Sequence, residues 1–385
     1  MELAAELGVL PSPARTCLVT GSKGKGTVSR MIAWNLAECG RKVGLVLSPE
    51  ELGHLDRVRI GNQPIPELDF LRFVNLLSGP LDKMLVLQPS DFYFSPSGIF
   101  LLVALLWFRE QGVDTWVIEG GRGARFDEIG LLYASVGVVT NVLGEHLVRL
   151  GSGLDEIAAD KLSLGNRCEA LVIGRAVSRW EHLFPTGCSK VIVDDFPKDE
   201  PDDRWRPTWF RELVAIARAA AGCMQPGLPW RNFTSPSFLI ARGGFRDAGP
   251  ARGTVCCEAA VHRDCLDAEF LRRSGLSAGA AVIGVSDDKD GEGLFHALAA
   301  VGFRHIYTVA VSSRVGHIRP WSAPEGVARQ IAEMEIVGDA GIGFAGKLLD
   351  LADRHGSLYI VGVQTFMRSV RRVLNIGITG PGGVR

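Results

Sequence analysis

Apolar positions in the first 175 residues fall into two alternating rhythms. Short runs, Thr16–Thr20, Lys42–Leu47, Thr115–Glu119, Val136–Thr140 and Ala170–Ile173, have the length and continuity of strands covered on both faces. Between them, apolar residues recur at helical spacing. Val28, Met31, Ile32, Leu36 and Cys39 share one face of a helix over Thr27–Cys39, which Gly40 stops. A second helix takes in the apolar run Gly98–Phe108 and continues to Glu110, with Ser95 or Ser97 as its cap and Gly112 after its end. Leu154–Leu164 gives a third. Strands alternating with helices predict a parallel sheet with helices on both faces, and such sheets bind ligands at the carboxyl ends of their strands.

Residues Asp194–Arg206 are polar and rich in proline and aspartate, a surface loop. The helix Trp209–Cys223 follows. Gln225–Asn232, with two prolines and a glycine, reads as a linker between domains. A second alternation then begins. Its strands are Thr254–Cys257, Ala281–Ser286, His305–Ala310 and Ser357–Val361. Its helices are Cys265–Arg273, Glu292–Ala300, Pro324–Met334, Phe344–Arg354 and Phe366–Leu374. The expected organisation is an α/β domain over 1–228 and a smaller α/β domain over 229–385.

Size agrees with this division, since 385 residues at about 150 per domain make two or three domains. Charge narrows the partners. Lysine plus arginine number 42 and aspartate plus glutamate 43, with no long basic run, which argues against nucleic acid or a membrane surface. The first ten residues contain Glu2 and Glu6 and no basic region, unlike a signal peptide. The run Gly98–Phe108 falls short of the roughly 20 residues needed to cross a bilayer. Eight cysteines in a chain this long make no dense disulfide framework, so reduced thiols in the cytoplasm are expected.

The strongest local signal is Gly21-Ser22-Lys23-Gly24-Lys25-Gly26-Thr27, between the first strand and the first long helix. Glycines let backbone N–H groups turn inward, and the helix N-terminus adds positive potential, so the turn suits the phosphates of ATP. Lys25 would reach the β and γ oxygens, and the Thr27 hydroxyl would help to hold Mg2+. The competing explanation is a glycine-rich turn with surface lysines. In the commonest phosphate loop the hydroxyl residue directly follows the lysine, whereas here Gly26 intervenes.

With that spacing, Val19–Thr27 resembles the T-N-G-K-G-[ST] loop of folylpolyglutamate synthases and their Mur ligase relatives. Further matches come in family order. Gly44–Pro49 resembles G-L-F-T-S-P. Arg57–Ile60 followed by Gln63-Pro64-Ile65 resembles E-R-I-R-I-N-G-x-P-I. Glu119–Asp127 resembles E-V-G-L-G-G-R-L-D, Thr140–His146 resembles T-N-I-G-x-D-H, and Ile157–Lys161 resembles I-A-x-E-K. The resemblance implies a P-loop parallel-sheet ATP-binding domain followed by a smaller Rossmann-like C-terminal domain. It implies that Glu119 holds one Mg2+, directly or through water. It implies that His146 and a carbamylated Lys161 serve a second Mg2+, and that Asn141 shapes its loop or contacts the nucleotide. The structural alternatives are a surface acid for Glu119, a loop or core histidine for His146 and an exposed helical lysine for Lys161. Arg125 and Asp127 would form an internal pair that holds the glycine loop, a structural role as well founded as a catalytic one.

In the last third the likeness thins. Gly244-Phe245-Arg246 corresponds to P-G-R, whose arginine reaches the nucleotide phosphates, and Gly284–Asp290 resembles G-x-x-x-D-K-D. Glu258–Arg263 falls where the family has D-G-A-H-N-P, which makes Glu258 a nucleotide contact. The family's S-P-H, D-A-T-N and D-H-T become Ser48-Pro49-Glu50, Asp127-Glu128-Ile129-Gly130 and Glu145-His146-Leu147. The ATP and metal residues are kept while the acceptor pocket is rebuilt. The expected function is therefore an ATP-dependent ligase joining an amino acid to a small-molecule carboxylate through an acyl phosphate. The alternatives are a folylpolyglutamate synthase proper, a nucleotide-binding regulatory or scaffold subunit that has lost catalysis, and a simple P-loop kinase. Zinc at Cys256, Cys257, His262 and Cys265 is disfavoured because there is no paired C-x-x-C spacing and adjacent strand residues face opposite ways. A Cys257–His262 nucleophile is set aside with it.

Overall fold

The computed structural model describes residues 1–48, 53–86, 94–144, 153–194, 209–230, 243–246, 253–259, 261–287, 289–312, 321, 329–335 and 342–374. They fall into two units, one within Met1–Asp199 and Arg211–Asn232, the other within Glu200–Phe210 and Phe233–Arg385.

The strands of the first unit are β1 (Thr16–Thr20), β2 (Val43–Val46), β3 (Val58–Ile60), β4 (Gln63–Pro64), β5 (Thr115–Glu119), β6 (Ala134–Val139), β7 (Cys168–Gly174) and β8 (Ser189–Val193). They form one sheet in the order β4-β3-β2-β5-β1-β6-β7-β8. All neighbours are parallel except β2–β3 and β3–β4, which close one edge as an antiparallel hairpin. Every residue of β1 and β2 is buried, as continuous apolar strands between two helical layers must be.

The helices are α1 (Glu2–Glu6), α2 (Lys25–Glu38), α3 (Glu67–Val86), α4 (Pro96–Glu110), α5 (Leu154–Leu162) and α6 (Trp209–Met224). Ser95 caps α4, its Oγ accepting from the Gly98 N–H at 2.9 Å with Pro96 in the first turn. Gly44 exists to let α4 approach β2, since a Cβ there would stand 2.7 Å from the Phe108 ring. Helix α3 and strand β8 were not expected from the sequence. Phe70, Phe73, Val74, Leu77, Leu81 and Met84 recur at helical spacing along α3 and meet the core, but Pro80 inside the segment argues against a continuous helix there. β8 is mostly exposed, and its apolar run, Val191–Val193, is only three residues long.

In the second unit the strands are β9 (Gly243–Arg246), β10 (Thr254–Glu258), β11 (Ala280–Gly284), β12 (His305–Ser312), β13 (Arg329–Glu335) and β14 (Ser357–Gly362), in the order β13-β12-β11-β14-β10-β9. This sheet is parallel apart from the β9–β10 pair. The helices α7 (Ala268–Arg273), α8 (Gly291–Val301), α9 (Ile342–His355) and α10 (Gln364–Val373) alternate with its strands. One element differs in kind from expectation: the helix expected over Pro324–Met334 is, in its described part, strand β13 paired with β12. Ala332 and Met334 alternate with Glu333 and Glu335 at period two, and a segment this short fits either rhythm.

The expected fold class holds: two α/β units, each built on a largely parallel sheet. Among the described residues no helix is long and apolar enough to cross a membrane.

Candidate active site

β1 ends and α2 begins around the glycine-rich turn, at the carboxyl edge of the first sheet. Gly24 takes φ +80° as the N-cap of α2, and Gly21 takes φ +137°. Both values belong to glycine. A Cβ on Gly21 would lie 1.9 Å from Thr140 Oγ1, and one on Gly24 would lie 2.6 Å from the Leu213 side chain. The turn is sewn to the segment after β6. Ser22 N–H donates to the Asn141 carbonyl at 3.0 Å and Lys23 N–H to Asn141 Oδ1 at 2.7 Å. Leu143 N–H donates to Ser22 Oγ at 3.0 Å, and the Thr140 hydroxyl donates to the Lys23 carbonyl. Lys25 is buried, with Nζ donating to the Gly21 carbonyl at 3.0 Å, so its ammonium folds back across the turn. Gly21→Ala is expected to cost about 1–3 kcal/mol of stability from the strained backbone and to weaken nucleotide binding. A fall in the thermal midpoint beside unchanged ligand protection would contradict the second part.

Glu119, the last residue of β5, stands next to this helix start. Its Oε2 would be 3.3 Å from a Cβ on Gly26, and it accepts from the Ser48 N–H at 3.1 Å. One turn into α2, Thr27 Oγ1 is buried and has no hydrogen-bond partner among the described residues. A buried hydroxyl with nothing to bond costs free energy unless a ligand takes it up. A carboxylate and such a hydroxyl at a glycine-rich turn are the oxygen donors that a hard divalent cation takes, so the residues present fit Mg2+.

The glycine loop after Glu119 is held by Asp127. Its Oδ2 accepts from the Gly121 and Arg122 N–H groups at 2.9 and 3.1 Å, and its Oδ1 from Ile129 N–H at 3.4 Å. Burial first, then the charge of Glu128, pushes the Asp127 carboxyl above its usual value. This corrects the expected Arg125–Asp127 pair: Asp127 acts through backbone amides, and the Arg125 guanidinium lies 5.3 Å from the Phe126 ring centre. The loop is also tied to β1, where Thr20 Oγ1 donates to the Gly123 carbonyl at 2.8 Å.

Lys161, in α5, is fully buried, and its Nζ donates to the Arg122 carbonyl at 3.1 Å. Its neighbour Asp160 accepts from the Ala124 N–H at 2.8 Å. Lys161 is therefore no exposed helical lysine, and it reaches the same glycine loop that Glu119 begins. The loop residues Gly21, Ser22, Lys23, Gly24, Lys25, Gly26 and Thr27 thus share one neighbourhood with Asn141 and Glu119, and Lys161 adjoins it through Arg122. His146 lies outside the described residues. Sequence reasoning passed over Ser48, whose N–H holds Glu119 and whose Oγ accepts from Arg57 at 3.2 Å. Thr140 and Asp160 lie within the motifs Thr140–His146 and Ile157–Lys161, which gave them no role as anchors.

Two expected nucleotide contacts belong to the second unit. Arg246 stands opposite Val255 in the β9–β10 ladder, and Glu258 opposite Gly243. Glu258 is buried and accepts from the Tyr359 hydroxyl, whose own pKa is pushed up by burial and then by the Glu258 charge. Asp290 caps α8 through the Gly293 N–H at 3.1 Å and binds Arg263 with both oxygens at 2.8 Å. Burial raises the Cys257 thiol to about 12, which leaves it protonated and a poor nucleophile.

A glycine-rich turn that opens a helix, a strand-end carboxylate beside it and two largely parallel sheets define an α/β fold. Known proteins with this fold are folylpolyglutamate synthases. The Mycobacterium tuberculosis folylpolyglutamate synthase complexed with ADP and AMPPCP is similar with a TM-score of 0.76 at 18% identity, covering 97% of this chain and 93% of that one. An FPGS–AMPPCP complex is similar with a TM-score of 0.73 at 22% identity, covering 97% and 94%. At these identities the likeness establishes the fold. In sequence, the folylpolyglutamate synthase of Lacticaseibacillus casei is 30% identical over 177 residues, 46% of this chain and 41% of the relative. The dihydrofolate synthase/folylpolyglutamate synthase of Escherichia coli K12 is 31% identical over 173 residues, 45% and 39%. The matched stretch thus spans about two fifths of each curated relative. No family profile matches the chain.

Proposed function

We propose that the chain is an ATP-dependent ligase that joins a small-molecule carboxylate to an amino acid through an acyl phosphate. The observation that carries this is the buried Thr27 hydroxyl on the helix after the glycine-rich turn, without a hydrogen-bond partner among the described residues, with the Glu119 carboxylate packed against the start of that helix. The names of the relatives, folylpolyglutamate and dihydrofolate synthase, support the same chemistry.

A carboxylate is a poor electrophile until one oxygen is phosphorylated. In this reading the backbone of Gly21–Gly26 wraps the phosphates of ATP. Lys25 leaves the Gly21 carbonyl to neutralise the β and γ oxygens. Thr27 and Glu119 would hold one Mg2+, and His146 with a carbamylated Lys161 would hold a second. Bound there, such ions would supply charge neutralisation at the γ-phosphate. Lys161 would first lose a proton, and its neutral amine would then bond the carbon of CO2 and release a second proton, leaving a carbamate whose anionic oxygen could serve as a metal donor. A substrate carboxylate attacks the γ-phosphorus in line and ADP leaves. The amine nitrogen then attacks the acyl carbon and phosphate departs. Positioning and preorganised charge supply the acceleration. Asn141 keeps the loop in shape. The domain boundary lies at 228/229 and the working compartment is the cytoplasm.

A second reading, addition of glutamate to a folate, is favoured by the relatives' names alone. Phosphate release from ATP with pooled acids and pooled amino acids tests both. Release that needs an acid and an amine together is expected. Tight ATP binding without turnover would instead mark a regulatory subunit, and a stable phosphorylated acid a kinase. Release with dihydropteroate or tetrahydrofolate and glutamate only would select the folate reading.

A further inference from the structure

A cleft of about 340 Å3 lies in the first unit, lined by Arg125, Gly130, Ala159, Ser163, Asn166 and Arg167. None of these residues is among those given to ATP or metal above. Two stretches of chain supply them. Arg125 belongs to the glycine loop and Gly130 to the short 3-10 turn Glu128–Leu131 that follows it. Ala159 comes from α5, and the other three from the 3-10 turn Ser163–Arg167 directly after that helix. The volume falls within the roughly 300–1,000 Å3 of small-molecule sites.

The lining carries two guanidiniums and no carboxylate. The three acids adjoining these positions in the chain turn elsewhere. Asp160 accepts from the Ala124 N–H, Asp127 from the Gly121 and Arg122 N–H groups, and Glu128 contacts the Ser95 hydroxyl. Glu156, one turn before Ala159, is not part of the lining. Among the described residues neither Arg125 nor Arg167 has an ion-pair or hydrogen-bond partner. Each lies against an aromatic ring instead, Arg125 at 5.3 Å from the Phe126 ring centre and Arg167 at 4.8 Å from that of Tyr133. Phe126 is 87% exposed and Tyr133 57%, so these rings are not placed to fill a core. A guanidinium steered by a ring rather than by a carboxylate keeps its charge uncompensated and its N–H edge available. Asn166 adds a third donor: its Nδ2 gives one proton to the Ser163 carbonyl at 3.1 Å and has a second to offer.

We propose that this cleft binds a small-molecule oxyanion carrying two negative charges, a phosphate monoester or a dicarboxylate, with its oxygens on Arg125 and Arg167 and a further contact from Asn166. Both chemistries match the planar fork of a guanidinium. A single carboxylate leaves one of the two cations without a counter-charge. The bound dianion ties the glycine loop, through Arg125, to the turn that ends the helix bearing Lys161. The assignment goes beyond the ligase reading and does not depend on it.

Calorimetric titration of the full chain with inorganic phosphate, glutarate and acetate, at mildly alkaline pH, tests this. Phosphate puts both charges on one group, glutarate puts them on two carboxylates, and acetate has one. At least one of the two dianions is expected to bind at least about tenfold more tightly than acetate, the effect of one charged hydrogen bond. The tighter of the two identifies the ligand's chemistry. Arg125→Gln and Arg167→Gln should each weaken that binding about tenfold, and the double variant should abolish it. Arg167→Lys, which keeps the charge and loses the fork, should bind between the parent and Arg167→Gln. Thermal midpoints near the parent's are expected for all of them, since neither guanidinium holds another part of the described chain. Phosphate taken up by the glycine-rich turn would persist in these variants, so only the heat that disappears with the arginines belongs to the cleft. Dianions that bind no better than acetate, no saturable binding of either dianion, or unchanged binding in the double variant would overturn the proposal.

Discussion

Lys25→Ala should lower ATP turnover by about 100- to 1000-fold, the usual consequence of removing one preorganised charge from a transition state, while leaving the fold in place. The side chain crosses its own turn to the Gly21 carbonyl, and without it the loop keeps its four ties to the segment after β6. Circular dichroism and the thermal midpoint are expected to stay near the parent's, within about 1 kcal/mol. The measurement is ADP release under saturating acid and amine. A well-folded Lys25→Ala protein that releases ADP at the parental rate would remove the glycine-rich turn from the chemistry, and the proposed mechanism with it.

The second large effect is expected at Lys161. Lys161→Ala should be inactive, and short carboxylic acids such as acetate or propionate should restore part of the rate. The reason lies in the burial: Lys161 is wholly enclosed and reaches the Arg122 carbonyl, so truncation opens a hole beside the glycine loop where a small carboxylate can stand in for the carbamate. Lys161→Met, which fills that hole, should be equally inactive and should not respond to acetate. Both variants are expected to lose stability by about 1–3 kcal/mol, because the Arg122 carbonyl loses its donor. Parental activity in Lys161→Ala would exclude a metal role for the residue. Equal rescue of the alanine and methionine variants would point to an effect of acetate elsewhere.

The parts of the molecule that could be read from the chain are those where chemistry and periodicity coincide. β1, the glycine turn and α2 stand out because an all-buried strand, φ-positive glycines and a helix at 3.6 spacing follow one another within 25 residues. Glu119 could be found because it ends a strand that parallels β1. Lys161 could be named from its motif, yet its burial could not, since α5 alone does not say that the glycine loop covers it. Asp127 misled: next to an arginine it suggests an ion pair, whereas the structure spends both its oxygens on backbone amides, contacts that no side-chain pattern announces. β13 was misread because seven residues with alternating glutamates satisfy either periodicity, and α3 was missed because Pro80 interrupts a segment whose apolar residues otherwise keep helical spacing. His146 and the acids at 50 and 145 lie outside the described residues.

The ties between the turn and the segment following β6 also bear on how a nucleotide would be received. Amides of Ser22 and Lys23 are already spoken for by Asn141, and the Ser22 hydroxyl by Leu143. The ordering entropy of a flexible anion loop is thereby met by folding rather than at the moment of encounter. Affinity for a polyanion would then be governed mainly by electrostatics, and so by ionic strength and cation supply, with little contribution from loop rearrangement.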